Sequence, residues 1–134
     1  MTIRAVADTH AVIWYILADK RLSATARATI DTIGADGDQV AISSLSFAEM
    51  VFLIERGRID LTTLDQTLEL LDRSNSVFVE APIDRIVVLA MRVIDRTLVP
   101  ELPDRLIAAT ALRHNVPVIS RDRSIQASGL ATIW

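Results

Sequence analysis

"IRAVADTHAVIW", residues 3–14, sets an apolar run of strand length against a second apolar run of helical length, with a carboxylate at the join. Ile3, Ala5, Val6 and Ala7 lead into Asp8, and the next apolar stretch, Ala11 to Leu17, begins three residues later. A buried strand passing almost directly into a helix is the opening of a βα unit. Asp8 then has two open roles: N-cap of the helix from Thr9, or one wall of a site.

The same alternation runs through the rest of the chain. Strands are expected at about 3–8, at "QVAIS" (39–43), at "VFVE" (77–80) and at "VPVIS" (116–120), with "ATIW" (131–134) as an edge strand. Helices are expected at about 9–18, from an N-cap at Ser23 to the turn "GADGD" (34–38), and over "SFAEMVFLIERG" (46–57), which ends on a glycine. Further helices follow over 61–74, 83–95 and 103–115, the last with proline in its first turn. Continuously apolar strands separated by helices imply a parallel sheet covered on both faces. The expected fold class is therefore α/β, one domain with a central parallel sheet.

Composition narrows the chemistry. A chain of 134 residues is about one domain long. There is no cysteine, which excludes disulfides, thiolate zinc sites and cysteine nucleophiles, and only His10 and His114 offer imidazole. No apolar run reaches the ~20 residues of a membrane-spanning helix, and the first residues lack the order of a secretory signal, so a cytoplasmic protein without membrane contact is expected. The net charge of −3 argues against a simple basic nucleic-acid binder. Yet Lys20 is the only lysine among 14 cationic residues, and arginine can grip phosphate through paired hydrogen bonds.

Four acids share one predicted edge. Asp8 and Asp122 lie at strand C-termini, while Glu49 and Asp104 lie in first turns of helices. In a parallel sheet these positions border the same crevice, where ligands bind. Like charges brought together there call for a cation, and an all-oxygen donor set suits Mg²⁺ or Mn²⁺. Such an ion can activate water and clamp a phosphodiester. Thr9 and Ser120 stand beside the acids as hydrogen-bond partners for water or carboxylate, and Arg105, Arg121 and Arg123 as contacts for flanking phosphates. A plain structural reading exists for each acid: Asp8 as an N-cap, Glu49 folded back on Ser46 in a capping box, Asp104 at a helix dipole, Asp122 in a turn. His10 reads as a locally packed residue, and Trp14, Tyr15 and Ile16 as a buried cluster.

"VADTHAVIW", "ISSLSFAEM", "PDRLIAATAL" and "PVISRDRSI" follow one another as in PIN-domain proteins, and the whole chain, 1–134, resembles the small VapC-like toxin ribonucleases of toxin–antitoxin pairs. The resemblance implies a doubly wound parallel sheet, a divalent metal at an acidic pocket, and endoribonuclease activity on structured RNA. It maps the four catalytic, metal-binding acids onto Asp8, Glu49, Asp104 and Asp122, with Asp8 and Asp104 as direct ligands, and Ser120 onto a small hydroxyl position. It also implies an antitoxin partner docked in an apolar groove near Trp14 and "MVFLI" (50–54), and a homodimer or a hetero-oligomer with that antitoxin.

Three other readings have their own signatures. A receiver domain has paired acids after its first strand and a lysine after its last; here Asp8 stands alone and Lys20 is far from "VPVIS". A dinucleotide-binding domain needs a glycine-rich loop after the first strand, and the glycines fall at 34, 37, 57 and 129. A non-catalytic interaction module would use the acids as caps alone and show no metal-dependent cleavage.

Overall fold

The structure, a computed structural model, describes residues 1–134. Five parallel strands form one sheet in the order β3-β2-β1-β4-β5. The strands are β1 (Ile3–Ala7), β2 (Gln39–Ser43), β3 (Phe78–Ala81), β4 (Val118–Ile119) and β5 (Thr132–Ile133). The chain winds outward from β1 through β2 to β3, then returns to the other side of β1 as β4 and continues to β5. The order therefore reverses between β1 and β4, the crevice where doubly wound sheets place their ligands. Seven α-helices make the connections: α1 (Thr9–Ile16), α2 (Ala24–Ala35), α3 (Ser44–Glu55), α4 (Thr63–Leu71), α5 (Arg85–Ala90), α6 (Leu102–His114) and α7 (Arg123–Ala127).

The strands are apolar on both faces because both faces are covered. Ala5, Ala7, Val40, Ile42, Phe78 and Ile119 turn to one side, against Val12 and Trp14 of α1, Ile30 of α2 and Met50 of α3. Val6, Ala41, Ala81 and Val118 turn to the other, against Ile107 and Ala111 of α6 and Ile125 of α7. Alanines in the strands keep the sheet-to-helix spacing short. Gly34 serves the same end in α2, where an added Cβ would stand 3.2 Å from Val77.

Most expected elements are present, and three boundaries moved for identifiable reasons. The helix expected over 46–57 starts two residues earlier: Ser43 is its N-cap, its Oγ accepting from Leu45 N at 3.2 Å. Ser46 is consequently inside the helix and buried, so "SFAE" is not a capping box. The helix expected over 83–95 stops at Ala90 and gives way to a 3₁₀ turn at Met91–Val93. There the carbonyls of Met91 and Ile94 accept from the Arg105 guanidinium, at 2.8 and 3.3 Å. The helix expected over 61–74 is trimmed at its start, where Asp60 Oδ1 accepts from Thr62 N at 2.8 Å and makes a turn. Of the stretch 50–54, Met50 is buried while Val51 and Phe52 are exposed; Trp14 is interior. No helix is long and apolar enough to cross a membrane.

Candidate active site

The sheet ends deliver two of the four acids, Asp8 after β1 and Asp122 after β4. The Asp8 backbone N–H donates to Ile119 O at 3.0 Å, so the β1–β4 ladder runs up to the acid itself. Its side chain then leaves the sheet edge with both oxygens engaged: Oδ1 accepts from Thr9 N and Oδ2 from Ser120 Oγ, each at 2.7 Å. The capping role is real, and it coexists with a place in the crevice. Asp122 follows β4, and its Oδ1 accepts from the backbone N–H groups of Ser124 and Ile125 at 2.8 and 3.2 Å, capping α7. Its Oδ2 takes no bond from the protein.

Glu49, expected in the first turn of its helix, is the sixth residue of α3 because the helix already starts at Ser44. It is drawn in by α1: its Oε1 accepts from Thr9 Oγ1 at 2.5 Å, and Thr9 Oγ1 also meets Ser46 Oγ at 2.8 Å. Thr9 and Ser46 are buried, so this bridge between α1 and α3 is shielded from water. Asp104 sits in the first turn of α6, half-buried.

The electrostatics link all four. Burial, with the charges of Asp122, Asp8, Glu49 and Glu101, pushes the Asp104 carboxyl up to about 6, and no hydrogen bond offsets this. Burial also raises Asp8, helped by the charge of Asp122 and opposed by the bonds from Ser120 and Thr9. Glu49 is raised by burial and by Asp8, against the lowering pull of Thr9. Carboxylates at one edge thus destabilise one another's charged forms, the condition that a cation relieves. No three acidic or imidazole side chains are gathered closely enough to encage an ion between them. Mg²⁺ and Mn²⁺ do not require that, since they keep several waters and need one or two carboxylates directly. The donor set, hard oxygens without thiolate, fits such an ion.

The remaining expected residues separate into three groups. Ser120 and Thr9 bond carboxylates. Arg121 and Arg123 border the crevice beside Asp122. Arg105, expected at a phosphate, is instead directed into the turn after α5: its Nη2 donates to Met91 O and Ile94 O, and its Nε is buried without a partner. That correction follows from helix geometry, because neighbours on a helix do not share a face. Three contributors were not singled out from the sequence. Glu101 adds to the field at Asp104, and its position just ahead of Leu102 and Pro103 is the one available signal. Arg21 and Trp134 line the cavity next to Asp8, and only folding brings them there. His10 packs on Trp14, as expected of a local contact, with ring centroids 5.4 Å apart, and also faces that cavity.

The chain is similar to known proteins in sequence and fold. Ribonuclease VapC22 of Mycobacterium tuberculosis is 28% identical over 123 residues, which cover 90% of this chain and 88% of that protein. The structure of FitAcB from Neisseria gonorrhoeae superposes with a TM-score of 0.62 at 26% identity, covering 96% of this chain and 95% of the other. VapBC2 from Rickettsia felis, solved with a DNA fragment from its promoter, reaches a TM-score of 0.71 over 97% of each chain at 13% identity, a likeness of fold. The family model described as the PIN domain matches residues 5–128. Matched over nearly its whole length, the chain belongs to the PIN domain family.

Proposed function

We propose that residues 1–134 are a single PIN-like nuclease domain: a divalent-metal-dependent endoribonuclease that acts as the toxin of a toxin–antitoxin pair. One observation carries the reading. At the sheet's switch point, burial together with the charges of Asp122, Asp8, Glu49 and Glu101 raises the Asp104 carboxyl to about 6, and none of these acids has an ion pair to an arginine. A set of structural caps has no reason to be placed in mutual repulsion. The similarity to Ribonuclease VapC22 supports RNA as substrate, and the likeness to FitAcB and VapBC2 supports a toxin–antitoxin setting.

Asp8 and Asp104 would hold a Mg²⁺ or Mn²⁺ ion, with Glu49 and Asp122 completing the site through water. When bound, the ion supplies the positive charge that lowers the pKa of a water and offsets the charge building on a phosphodiester under attack. The protein's own part is positional. Ser120 and Thr9 N hold the Asp8 carboxylate in one orientation, Thr9 Oγ1 holds Glu49, and the α7 cap holds Asp122. Arg121 and Arg123 stand where flanking phosphates would pass. Direct attack by water leaves a 5′-phosphate and a 3′-hydroxyl, without a covalent intermediate on the enzyme.

The exposed Val51 and Phe52 of α3 would receive the antitoxin, as a homodimer or a hetero-oligomer forms, and the cytoplasm is the compartment this reading implies. The decisive experiment is an RNA-cleavage map, with product ends identified, for wild type, wild type in EDTA, and Asp104→Asn. Cleavage by metal-loaded wild type alone, with 5′-phosphate ends, is expected. Products ending in 2′,3′-cyclic phosphate, or equal cleavage by Asp104→Asn, would contradict it.

A further inference from the structure

Beside Asp8 and Asp122 a cavity of about 550 Å³ opens, and its far wall has a different chemistry, built from Trp14, Trp134, Arg21 and Arg121. That volume falls within the roughly 300–1,000 Å³ of small-ligand pockets. Trp14 is the hub. The Arg121 guanidinium stands 4.4 Å from its ring centroid and that of Arg21 5.0 Å, while Trp134 meets it edge-on at 5.9 Å. Trp14 itself is 3% exposed, so the aromatic surfaces left to a ligand are those of Trp134 and His10.

The charges in this cavity are left apart. Arg121 makes no ion pair, although it adjoins Asp122 in sequence and Asp8 lines the same space. A cation–π contact keeps it on Trp14 instead. Arg21 is forked on Asp19 at 2.8 and 3.1 Å, which leaves Arg121 as the unpaired cation over the indole. An unpaired arginine and an aromatic wall, side by side, suit a phosphate that carries a planar ring. Guanidinium takes phosphate through paired donors, and a base stacks on an aromatic side chain. An acidic peptide would satisfy the arginine, but it has no use for the aromatic wall and would meet Asp8 and Asp122 on the near side.

We propose that this cavity is a nucleotide subsite, receiving one unpaired nucleotide of the RNA next to the cut phosphodiester, its base against Trp134 and its phosphate on Arg121. The assignment rests on the ribonuclease reading above. The nucleotide must be unpaired, because a base held in an A-form duplex presents no face to a side chain.

The test compares wild type, Trp134→Ala, Trp134→Phe and Arg121→Ala. It measures steady-state cleavage of a single-stranded RNA oligonucleotide, and binding of the same oligonucleotide in EDTA by fluorescence anisotropy. Trp134→Ala and Arg121→Ala should each weaken binding and raise KM by roughly five- to fifty-fold, with kcat within a factor of about two. Trp134→Phe, which keeps a stacking face, should recover most of the affinity. Arg121 is exposed and unpaired, so Arg121→Ala decides the matter even where melting curves show Trp134→Ala unfolded. Wild-type cleavage with unchanged binding and KM in the folded variants overturns the subsite and leaves the ribonuclease reading standing. Wild type that neither binds nor cleaves RNA removes that reading, and the subsite with it. Variants that handle RNA normally but lose the antitoxin overturn the proposal in favour of a protein-docking pocket.

Discussion

Ser120 Oγ donates to Asp8 Oδ2 at 2.7 Å across 112 positions of sequence, while accepting from Asp122 N at 3.0 Å. One buried hydroxyl thus positions two of the four acids, at the point where the strand order of the sheet reverses. Ser120→Ala should cost about 1–3 kcal/mol, because it leaves a buried acceptor and a donor without partners. Urea denaturation reads that cost, and cleavage by the folded variant should fall as Asp8 and Asp122 lose their common anchor.

Thr9 performs the equivalent task for Glu49. Thr9→Val keeps the shape and removes the hydroxyl that reaches Glu49 and Ser46. A loss of about 0.5–1.5 kcal/mol is expected, together with reduced cleavage. Thr9→Ser should restore activity, since it returns the donor at the same place. Equal activity in the Val and Ser variants would remove Glu49 from the mechanism.

Asp104 gives a pH signature. Its folded value of about 6 lies above the 3.8 of an ordinary aspartate. The stability it contributes is therefore complete below about pH 4 and is lost as pH rises through about 6. In metal-free buffer, Asp104→Asn should melt near wild type at pH 4 and increasingly above it toward pH 7. Added Mg²⁺ should narrow that gap by binding wild type alone. A difference in melting temperature that does not change with pH would mean the carboxylates do not repel.

Asp122 separates capping from charge. Its Oδ1 caps α7 through Ser124 and Ile125. Asparagine keeps an oxygen there and removes the charge, so Asp122→Asn should fold with near wild-type stability and lose cleavage. Asp122→Ala should lose cleavage and, in addition, about 1 kcal/mol as the cap disappears. Thermal melts beside cleavage assays distinguish the two.

Arg105 and Arg121 should behave in opposite ways. Arg105→Ala frees the carbonyls of Met91 and Ile94, at a cost of about 1–3 kcal/mol. Arg121→Ala, which has no ion pair to lose and gives up only the contact with Trp14, should cost no more than about 0.5–1 kcal/mol. Chemical denaturation of the two variants side by side tests the reassignment of Arg105 from phosphate contact to structural tie.

The strands and helices were readable because their signals are local. Residues 5–7 and 40–42 are continuously apolar, and a strand with both faces buried leaves that mark whatever it packs against. Where the reading slipped, a distant partner had intervened. Ser46 looked like a cap in "SFAE" but lies within α3, bonded to Thr9 of α1. The helix from Arg85 ends at Ala90, and Arg105, more than ten residues on, binds the carbonyls of Met91 and Ile94 in the turn that follows. Arg121 was legible beside Asp122, but its meeting with Arg21 and Trp134 in one cavity wall left no trace in any single stretch.

From the order of its residues alone, this chain settles an alternating α/β pattern and puts Asp8, Asp104 and Asp122 at or next to helix starts, since periodicity and capping act over a few positions. Whether those acids feel one another, which hydroxyls aim them and which arginine stays free depend on distances that only the wound sheet creates. Coulomb forces and hydrogen bonds act over ångströms of space, with no regard for separation along the chain.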